Sequence, residues 1–302
     1  MLNVTEVEHV GAAAERDKGC CPTCLEAMEM RILTIGFGEI GREVTEALSK
    51  ARIHSPGLYL VSEVTDSIHL KQRLDDYLIH NIVTEYSAVL ISGEWSSNSK
   101  MDLWISKLCI ELHARNKFSI AFIADDYLVK SQKKARCSAA GVDAFIVSPG
   151  GATVGRTTIL NTVRNTLDTY LTIYNLLHGG QLVCVDYSDV RTILSAAGET
   201  FCFKGFDNGK DGAREAARNA VYRMREDGVS LADATGVIVA VMGPSDMSLT
   251  SVNDACSVVE DYAHEGAQII FGTLTDQMDD QFCVQIIATG FSSGRGPNEL
   301  QI

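Results

Sequence analysis

The sequence predicts an α/β protein with a parallel-sheet domain, a long helix and a smaller α+β domain, in that order. From residue 31 onward, near-continuous apolar runs of strand length alternate with helical patterns, which is typical of a parallel sheet covered on both faces. An unusually long helical pattern then occupies about 155–178. After it the order changes to helix, strand, helix, strand and strand, within roughly 100 residues.

The first domain contains five predicted strands joined by helices. The strands are "RILTIGFG", "LYLVSEVTD", "SAVLIS", "SIAFIA" and "DAFIVSPGG". The intervening helices are "EIGREVTEALSKA", a helical stretch at about 68–80, "KMDLWISKLCIELHARN" and "KSQKKARCSAAG". Each apolar run is short and bounded by turn residues, which favours buried strands over buried helices.

The second domain begins after the long helix, whose end is marked by "HGG". Its predicted elements are the helix "DGAREAARNAVYRMREDG", the strand "GVIVAVMG", the helix "SVNDACSVVEDYAHEG" and the strands "AQIIFGT" and "QFCVQIIATGF". The predicted organisation is therefore a flexible N-terminal extension at 1–30, an α/β domain at 31–154, a central helix at 155–180, an α+β domain at 181–292 and a short tail at 293–302.

Composition restricts the classes of partner. Lys and Arg total 26 against 39 for Asp and Glu, a net charge of −13, which disfavours binding to nucleic acid or to an anionic membrane surface. No apolar run approaches the roughly 20 residues that span a bilayer. The first residues lack the pattern of a secretory signal. We expect a cytoplasmic protein without direct membrane binding.

The cysteines fall into two groups. Six are scattered singly through apolar segments, as free thiols are in a reducing compartment. The other three, Cys20, Cys21 and Cys24, form "CCPTC", which could begin a zinc site, but no second pair follows to complete four ligands. We therefore expect no metal site and interpret this segment as part of the extension.

A glycine motif follows the first strand. "GFGEIG" contains Gly36, Gly38 and Gly41 in the G-x-G-x-x-G form, which lets backbone N–H groups and a helix N-terminus approach a phosphate. Glu63 or Asp66 stands where a dinucleotide enzyme places its acidic residue. A Rossmann-type enzyme that binds NAD or another nucleotide is therefore one alternative.

The second half carries a more specific pattern. "VDYSDVRTIL", "DGAREAARNAV", "ATGVIVAV" and "FGTLTDQMDDQFCVQIIATGF" closely resemble the C-terminal domain of FtsZ, the bacterial homologue of tubulin. "GTLTDQM" followed by "VQIIATG" resembles the closing hairpin of that family. The resemblance is strong over about 181–291 and limited to layout before it. It implies a tubulin/FtsZ-like fold, GTP with Mg²⁺ in the first domain, and subunits that stack head to tail into filaments.

The resemblance also suggests a role for two aspartates in "CVDYSDV". FtsZ proteins carry an N-x-D-x-x-D loop after the central helix, and its acidic residues act on the GTP site of the next subunit. Asp186 and Asp189 match the two acidic positions, whereas Cys184 replaces the asparagine. A carboxylate beside an in-line water can orient it toward the γ-phosphate. The alternative is that both aspartates cap the helix "VRTILSAAG".

The nucleotide side departs from the family pattern. Where FtsZ carries a G-G-G-T-G-[ST]-G loop, this chain has "GEWSSNSKM", which keeps Gly93 and offers Ser96 as a hydrogen-bond donor. Asp66 matches a strand end near the nucleotide, and Arg136 in "KKAR" either contacts the nucleotide or belongs to a solvated basic face. Fewer glycines leave fewer N–H groups within reach of a triphosphate, so the sequence predicts a degraded GTP site.

The predicted function is that of an FtsZ-like cytoskeletal protein that forms filaments, with weak or absent GTP binding and hydrolysis. The expected partner is a second copy of the chain, and a true FtsZ is a further candidate. Alternatives are a GTP-dependent FtsZ-type GTPase with residual activity, an adaptor that does not polymerise, and the Rossmann-type enzyme.

Overall fold

The computed structural model describes residues 4–6, 31–50, 57–61, 79–93, 99–124, 141–148, 156–178, 183, 185–195, 199–275 and 280–291. The chain divides into two compact units, and the boundary between them falls between Asp168 and Thr169. Within the described ranges, no helix is long and apolar enough to cross a bilayer.

The first unit is a mostly parallel sheet with helices between its strands. Its elements are β1 (Val4–Glu6), β2 (Ile32–Phe37), α1 (Gly38–Lys50), β3 (Gly57–Val61), α2 (79–85), β4 (Ala88–Gly93), α3 (Ser99–Ala114), β5 (Phe118–Ala124), β6 (Ala144–Ser148) and the first part of α4 (Arg156–His178). The strand order is β1-β3-β2-β4-β5-β6. The neighbours from β3 to β6 pair in parallel, which confirms the predicted parallel sheet.

One segment of this unit differs from the sequence prediction, and two predicted helices lie largely outside the described residues. β1 pairs antiparallel with β3, with Thr5 opposite Leu60, although the extension at 1–30 shows no strand pattern. The helix expected at about 68–80 is described only from residue 79, and it continues to 85. The helix expected within 130–141 lies almost wholly outside the described residues.

Alternation along the strands separates the two faces of the sheet. Every second residue of β2 and β4 belongs to one buried cluster with α2 and α3, namely Leu33, Ile35, Phe37, Val89, Ile91, Trp104, Ile105 and Leu108 among others. Because strand side chains alternate, the residues between these, including Gly36 and Ser92, lie on the opposite face with α1. The continuous burial of β2 and β4 reflects this double covering.

A largely buried carboxylate joins the amino ends of β5 and β6. Asp143 Oδ2 accepts hydrogen bonds from Ser119 N at 2.9 Å and from Ser119 Oγ at 2.7 Å. Asp143 Oδ1 lies 3.0 Å from His113 Nδ1 in the last turn of α3. Asn116, with φ of 57°, then lets the chain leave the helix.

The second unit is a four-stranded sheet covered by helices. Its elements after α4 are α5 (Tyr187–Leu194), β7 (Glu199–Asn208), α6 (Gly212–Glu226), a single 3-10 turn (Leu231–Asp233), β8 (Gly236–Gly243), α7 (Leu249–Tyr262), β9 (Gln268–Thr275) and β10 (Gln281–Phe291). The strand order is β7-β10-β8-β9. β10 runs antiparallel to both β7 and β8, and β9 runs parallel to β8.

Two sequence predictions for this unit were wrong. β7 was missed, because Gly205 interrupts its apolar run and "DN" at its end has the composition of a turn. β9 and β10 do not form the expected hairpin, because β8 lies between them in the sheet. A short connection between consecutive strands favours direct pairing, and the sequence gives no sign that β8 takes the intervening place.

Small residues let α6 approach β7 closely. Ala213, Ala216, Ala217 and Ala220 are buried along one stripe of the helix. A Cβ built on Gly205 would lie 1.9 Å from Ala216 O, so only glycine fits beneath this stripe. Side chains of α6 also bond to β7, since Arg223 Nη1 donates to the carbonyl of Lys204 at 2.9 Å.

A buried polar group holds the second part of α4 on the sheet. The Gln285 side chain on β10 is fully buried, accepts a short hydrogen bond from Thr172 Oγ1 and donates to Thr169 Oγ1 at 3.3 Å. Gln285 Nε2 also lies 2.6 Å from Cys202 Sγ on β7. These contacts satisfy the amide in a site from which water is excluded.

Candidate functional site

The glycine motif lies at the junction of β2 and α1. Gly36 is inside β2, Gly38 begins α1, and Gly41 is in the first turn of that helix. A Cβ on Gly36 would lie 2.4 Å from Gly41 O, and a Cβ on Gly41 would lie 2.5 Å from Ser92 O. Gly36 and Gly41 therefore let the helix begin directly against β2 and β4, which is a packing requirement whether or not a phosphate binds.

Gly93, the predicted glycine outside the motif, behaves in the same way. A Cβ on Gly93, at the carboxyl end of β4, would lie 2.5 Å from Phe37 O and 2.6 Å from the Phe37 ring. The end of β4 therefore packs tightly on the end of β2. The loop that follows, with Ser96, lies outside the described residues, as do Asp66 and Arg136.

One group that the sequence analysis missed lies at this junction. Ser92 is 2% exposed, and among the described residues its Oγ has no hydrogen-bond partner. It lies on the α1 face of β4, and its carbonyl faces Gly41. A buried hydroxyl without a protein partner is uncommon, and such a group often binds a water or an ion. In the sequence it is an ordinary strand serine, and nothing distinguishes it.

Arg42 is directed toward its own helix. Its guanidinium makes contacts of 3.3 Å with Glu43 and 3.8 Å with Glu46. All three side chains are partly exposed, so these ion pairs are weak and easily exchanged. Arg42 is thus paired with two carboxylates of its own helix, and the three groups together carry a net negative charge.

The acidic segment is in the second unit, at the start of α5. Asp186 is the N-cap, with φ of −79° and ψ of 140°, and its Oδ1 accepts a hydrogen bond from Ser188 N at 2.7 Å. Asp189 is exposed within the first turn, where a carboxylate interacts favourably with the helix dipole. Asp186 therefore caps the helix as one alternative predicted, but Asp189 does not, because α5 begins three residues earlier than expected.

Buried contacts fix the position of α5. Val190, Ile193 and Leu194 are buried on its inner face. A Cβ on Gly236 at the start of β8 would lie 2.9 Å from Ile193 Cγ2, so this side chain fills the space that the glycine leaves. These buried contacts hold α5 in place, and its polar first turn faces solvent.

Residues on β9 also contact the chain just before α5, and no sequence pattern distinguishes them. Thr273 makes two hydrogen bonds with Val183, and the space above Gly272 is filled by Val185 and Leu176. Cys184, the predicted substitution for the family's asparagine, lies outside the described residues. Within the described ranges, no cluster of three or more His, Cys, Asp or Glu side chains could hold a metal ion.

Sequence similarity to known proteins is found in the second unit. Residues 198–292 match the FtsZ family, C-terminal domain. The cell division protein FtsZ of Wolbachia pipientis is 34% identical over 113 residues, which are 37% of this chain and 36% of that protein. The sequence match thus spans about a third of the length of this relative.

Similarity of fold extends over most of the chain. An empty FtsZ dimer from M. jannaschii aligns with 92% of this chain and 95% of that chain, at a TM-score of 0.74 and 16% identity. A GTPγS-bound protofilament of CetZ2 from Haloferax volcanii aligns with 88% and 95%, at a TM-score of 0.60 and 13% identity. Residues 198–292 thus match an FtsZ-type C-terminal domain, and the fold of the chain is similar to the folds of the FtsZ and CetZ structures.

Proposed function

We propose that this chain is a cytoplasmic cytoskeletal protein whose subunits associate head to tail into filaments, with a nucleotide site that binds GTP weakly or not at all. The observation that carries the proposal is the acidic first turn of α5, which an FtsZ-type domain holds on buried contacts and exposes to solvent. Two similar structures support self-association, since one is an FtsZ dimer and the other a CetZ2 protofilament. A head-to-tail contact that does not close on itself propagates as a filament.

The glycine contacts support the weakened GTP site. Gly36, Gly41 and Gly93 are each required by neighbouring backbone or by Phe37, so their presence does not depend on a ligand. A charge-assisted hydrogen bond contributes about 1.5–3 kcal/mol, and each 1.4 kcal/mol is about tenfold in affinity. Loss of two such bonds from the missing glycine-rich loop would therefore weaken GTP binding by about a hundredfold or more.

A GTP-dependent filament is the second candidate, and Ser92 favours it. The described groups that fit a phosphate are the buried Ser92 hydroxyl and the N–H groups of the first turn of α1, which as in any helix have no acceptor within the helix itself. GTP with Mg²⁺ would supply the hydrolysable phosphate. Asp186 Oδ2 and the Asp189 carboxylate would then orient a water in the site of the neighbouring subunit.

The test is high-speed pelleting of the purified protein with Mg²⁺, with and without GTP, combined with negative-stain microscopy. Filaments that form equally well without GTP are expected. Filaments that require GTP would overturn the weakened site and favour the second candidate. A chain that stays monomeric at all concentrations would refute self-assembly and favour the non-polymerising adaptor, whereas calorimetric binding of NAD would favour a Rossmann-type enzyme.

A charge reversal tests the proposed contact surface. We expect Asp189→Arg to abolish pelleting, because it places a cation where the proposed contact presents a carboxylate. The matched control is Glu226→Arg at the exposed end of α6, which makes the same change of charge in the same unit. Equal pelleting of both variants and the unsubstituted protein would exclude the α5 turn from the interface.

A further inference from the structure

The segment that leads to Asp186 is bound to the edge of β9 at one residue. Val183 N donates to Thr273 Oγ1 at 2.9 Å, and Thr273 N donates to Val183 O at 3.2 Å. Thr273 is fully buried. The threonine therefore supplies both an acceptor and a donor, and this pair of bonds fixes the position and the direction of the chain at Val183.

The preceding residue of β9 provides the space that this segment occupies. A Cβ on Gly272 would lie 2.5 Å from Val185 Cγ2 and 2.7 Å from Leu176 Cδ2. Val185 is 8% exposed and Leu176 is 2% exposed, so both side chains are packed into this space. Gly272 thus acts by the absence of a side chain, and Thr273 acts by hydrogen bonding.

Only one bond of the chain separates Val185 from Asp186, the N-cap of α5. A displacement of Val183 and Val185 must therefore move the cap and the turn that carries Asp189. On its other side α5 is anchored by Ile193 against Gly236. The acidic turn is held between an anchor on β8 and an anchor on β9.

We propose that Gly272 and Thr273 are positioning residues that set where Asp186 and Asp189 stand on the surface of the subunit. This inference rests on the proposed function, in which these carboxylates meet the neighbouring subunit. Neither positioning residue needs to touch that neighbour. A subunit altered at position 272 or 273 keeps its other end intact, so it can join one end of a filament and block further addition there.

Local hydrogen exchange tests the contacts of Gly272 and Thr273 with Val183 and Val185, here called the β9 clamp, independently of filament assembly. We expect Thr273→Val to speed amide exchange at Val183 about threefold to tenfold, the fold-change that corresponds to one hydrogen bond of ordinary net strength. Thr273→Ser keeps the hydroxyl and should restore slow exchange. The matched control is Thr200→Val, which removes a buried hydroxyl bond to Thr289 of 2.8 Å elsewhere in the same sheet and should leave Val183 unchanged. Unchanged exchange in Thr273→Val would overturn the inference.

Assembly in mixtures tests the consequence for filaments. Added at about one subunit in ten, Thr273→Val and Gly272→Ala should shorten filaments of the unsubstituted protein, whereas Thr273→Ser and Thr200→Val should not. The two variants disturb the segment from Val183 to Val185 in different ways. Thr273→Val removes a hydrogen bond, and Gly272→Ala fills the space that Val185 occupies. Faster exchange at Val183 together with normal filament length would overturn the positioning role. Failure of the unsubstituted protein to assemble would instead refute the proposed function. The exchange measurement would still decide whether the β9 clamp exists.

Discussion

Helix α6 lies so close to β7 that position 205 admits no side chain. The methyl group introduced by Gly205→Ala would lie 1.9 Å from Ala216 O and 2.4 Å from Ala220 N. Both atoms belong to the helix backbone, so no change of rotamer can relieve the contact. To reach an ordinary contact of 3.4 Å, α6 would have to retreat from the sheet by about 1.5 Å.

The cost follows from overpacking and from the bonds that the retreat would stretch. Forcing an extra methyl group into a packed site typically costs about 1–3 kcal/mol. Arg223 and Asn219 donate from α6 to the carbonyls of Lys204 and Phe206 at 2.9 and 3.0 Å, and each such bond contributes about 0.5–1.5 kcal/mol. Compared with glycine, alanine lowers the conformational entropy of the unfolded chain, which offsets the loss of stability by about 0.4–1 kcal/mol. We expect Gly205→Ala to lower the free energy of unfolding of this unit by about 3 kcal/mol.

Urea-dependent hydrogen exchange of peptides from β7 and α6 measures this loss in the unit concerned. The matched control is Gly266→Ala, where the new methyl group would meet only the side chain of His264, at 3.2 Å, and the change should stay within about 1 kcal/mol. Equal stability of the two variants would refute the backbone-to-backbone packing of α6 on β7.

Three further predictions concern stability. Asp186→Ala should cost about 1 kcal/mol in chemical denaturation through loss of the α5 cap, and Asp186→Asn should cost less; an equal loss in both would contradict capping. Asp143→Ala leaves buried donors of β5 unpaired and should cost about 2–3 kcal/mol, with Asp143→Asn intermediate; a thermal midpoint unchanged by either variant would exclude the interaction. Burial raises the pKa of Cys109 and of Cys256 to about 12 from 9.0, so the unfolded chain ionises these thiols first. Their contribution to stability should be complete below pH 9 and lost progressively as the pH rises toward 12. Rapid alkylation of either thiol in the folded protein at pH 9 would show that it is not buried.

The predicted elements agree best with the structure where the hydrophobic period is regular. The alanine stripe of α6 appears directly in "AREAARNA", and the apolar run of β8 appears in "GVIVAVMG". Such patterns depend only on which residues are close along the chain, and hydrophobic burial enforces the same period in the folded protein. β7 was missed because Gly205, which breaks its pattern, is the residue that lets α6 pack against it.

The candidate site could be predicted only in part. The resemblance to FtsZ pointed to Asp186 and Asp189, and the structure shows how α5 holds them. Ser92 was not recognised, because its significance lies in burial without a partner, which a sequence does not record. Thr273 was not recognised either, since its partner Val183 is 90 residues away along the chain.

The sequence by itself determined the types and order of most elements and the FtsZ-like character of the second unit, because periodicity and motif spacing are local properties. Only the tertiary structure decided that Gly36, Gly41 and Gly93 are needed for packing, that β8 separates β9 from β10, and that β9 holds the acidic segment. Each of these depends on contacts between residues distant in sequence. Such contacts depend on the order of the strands in the sheet. The hydrophobic pattern of a single strand does not determine which strands lie beside it.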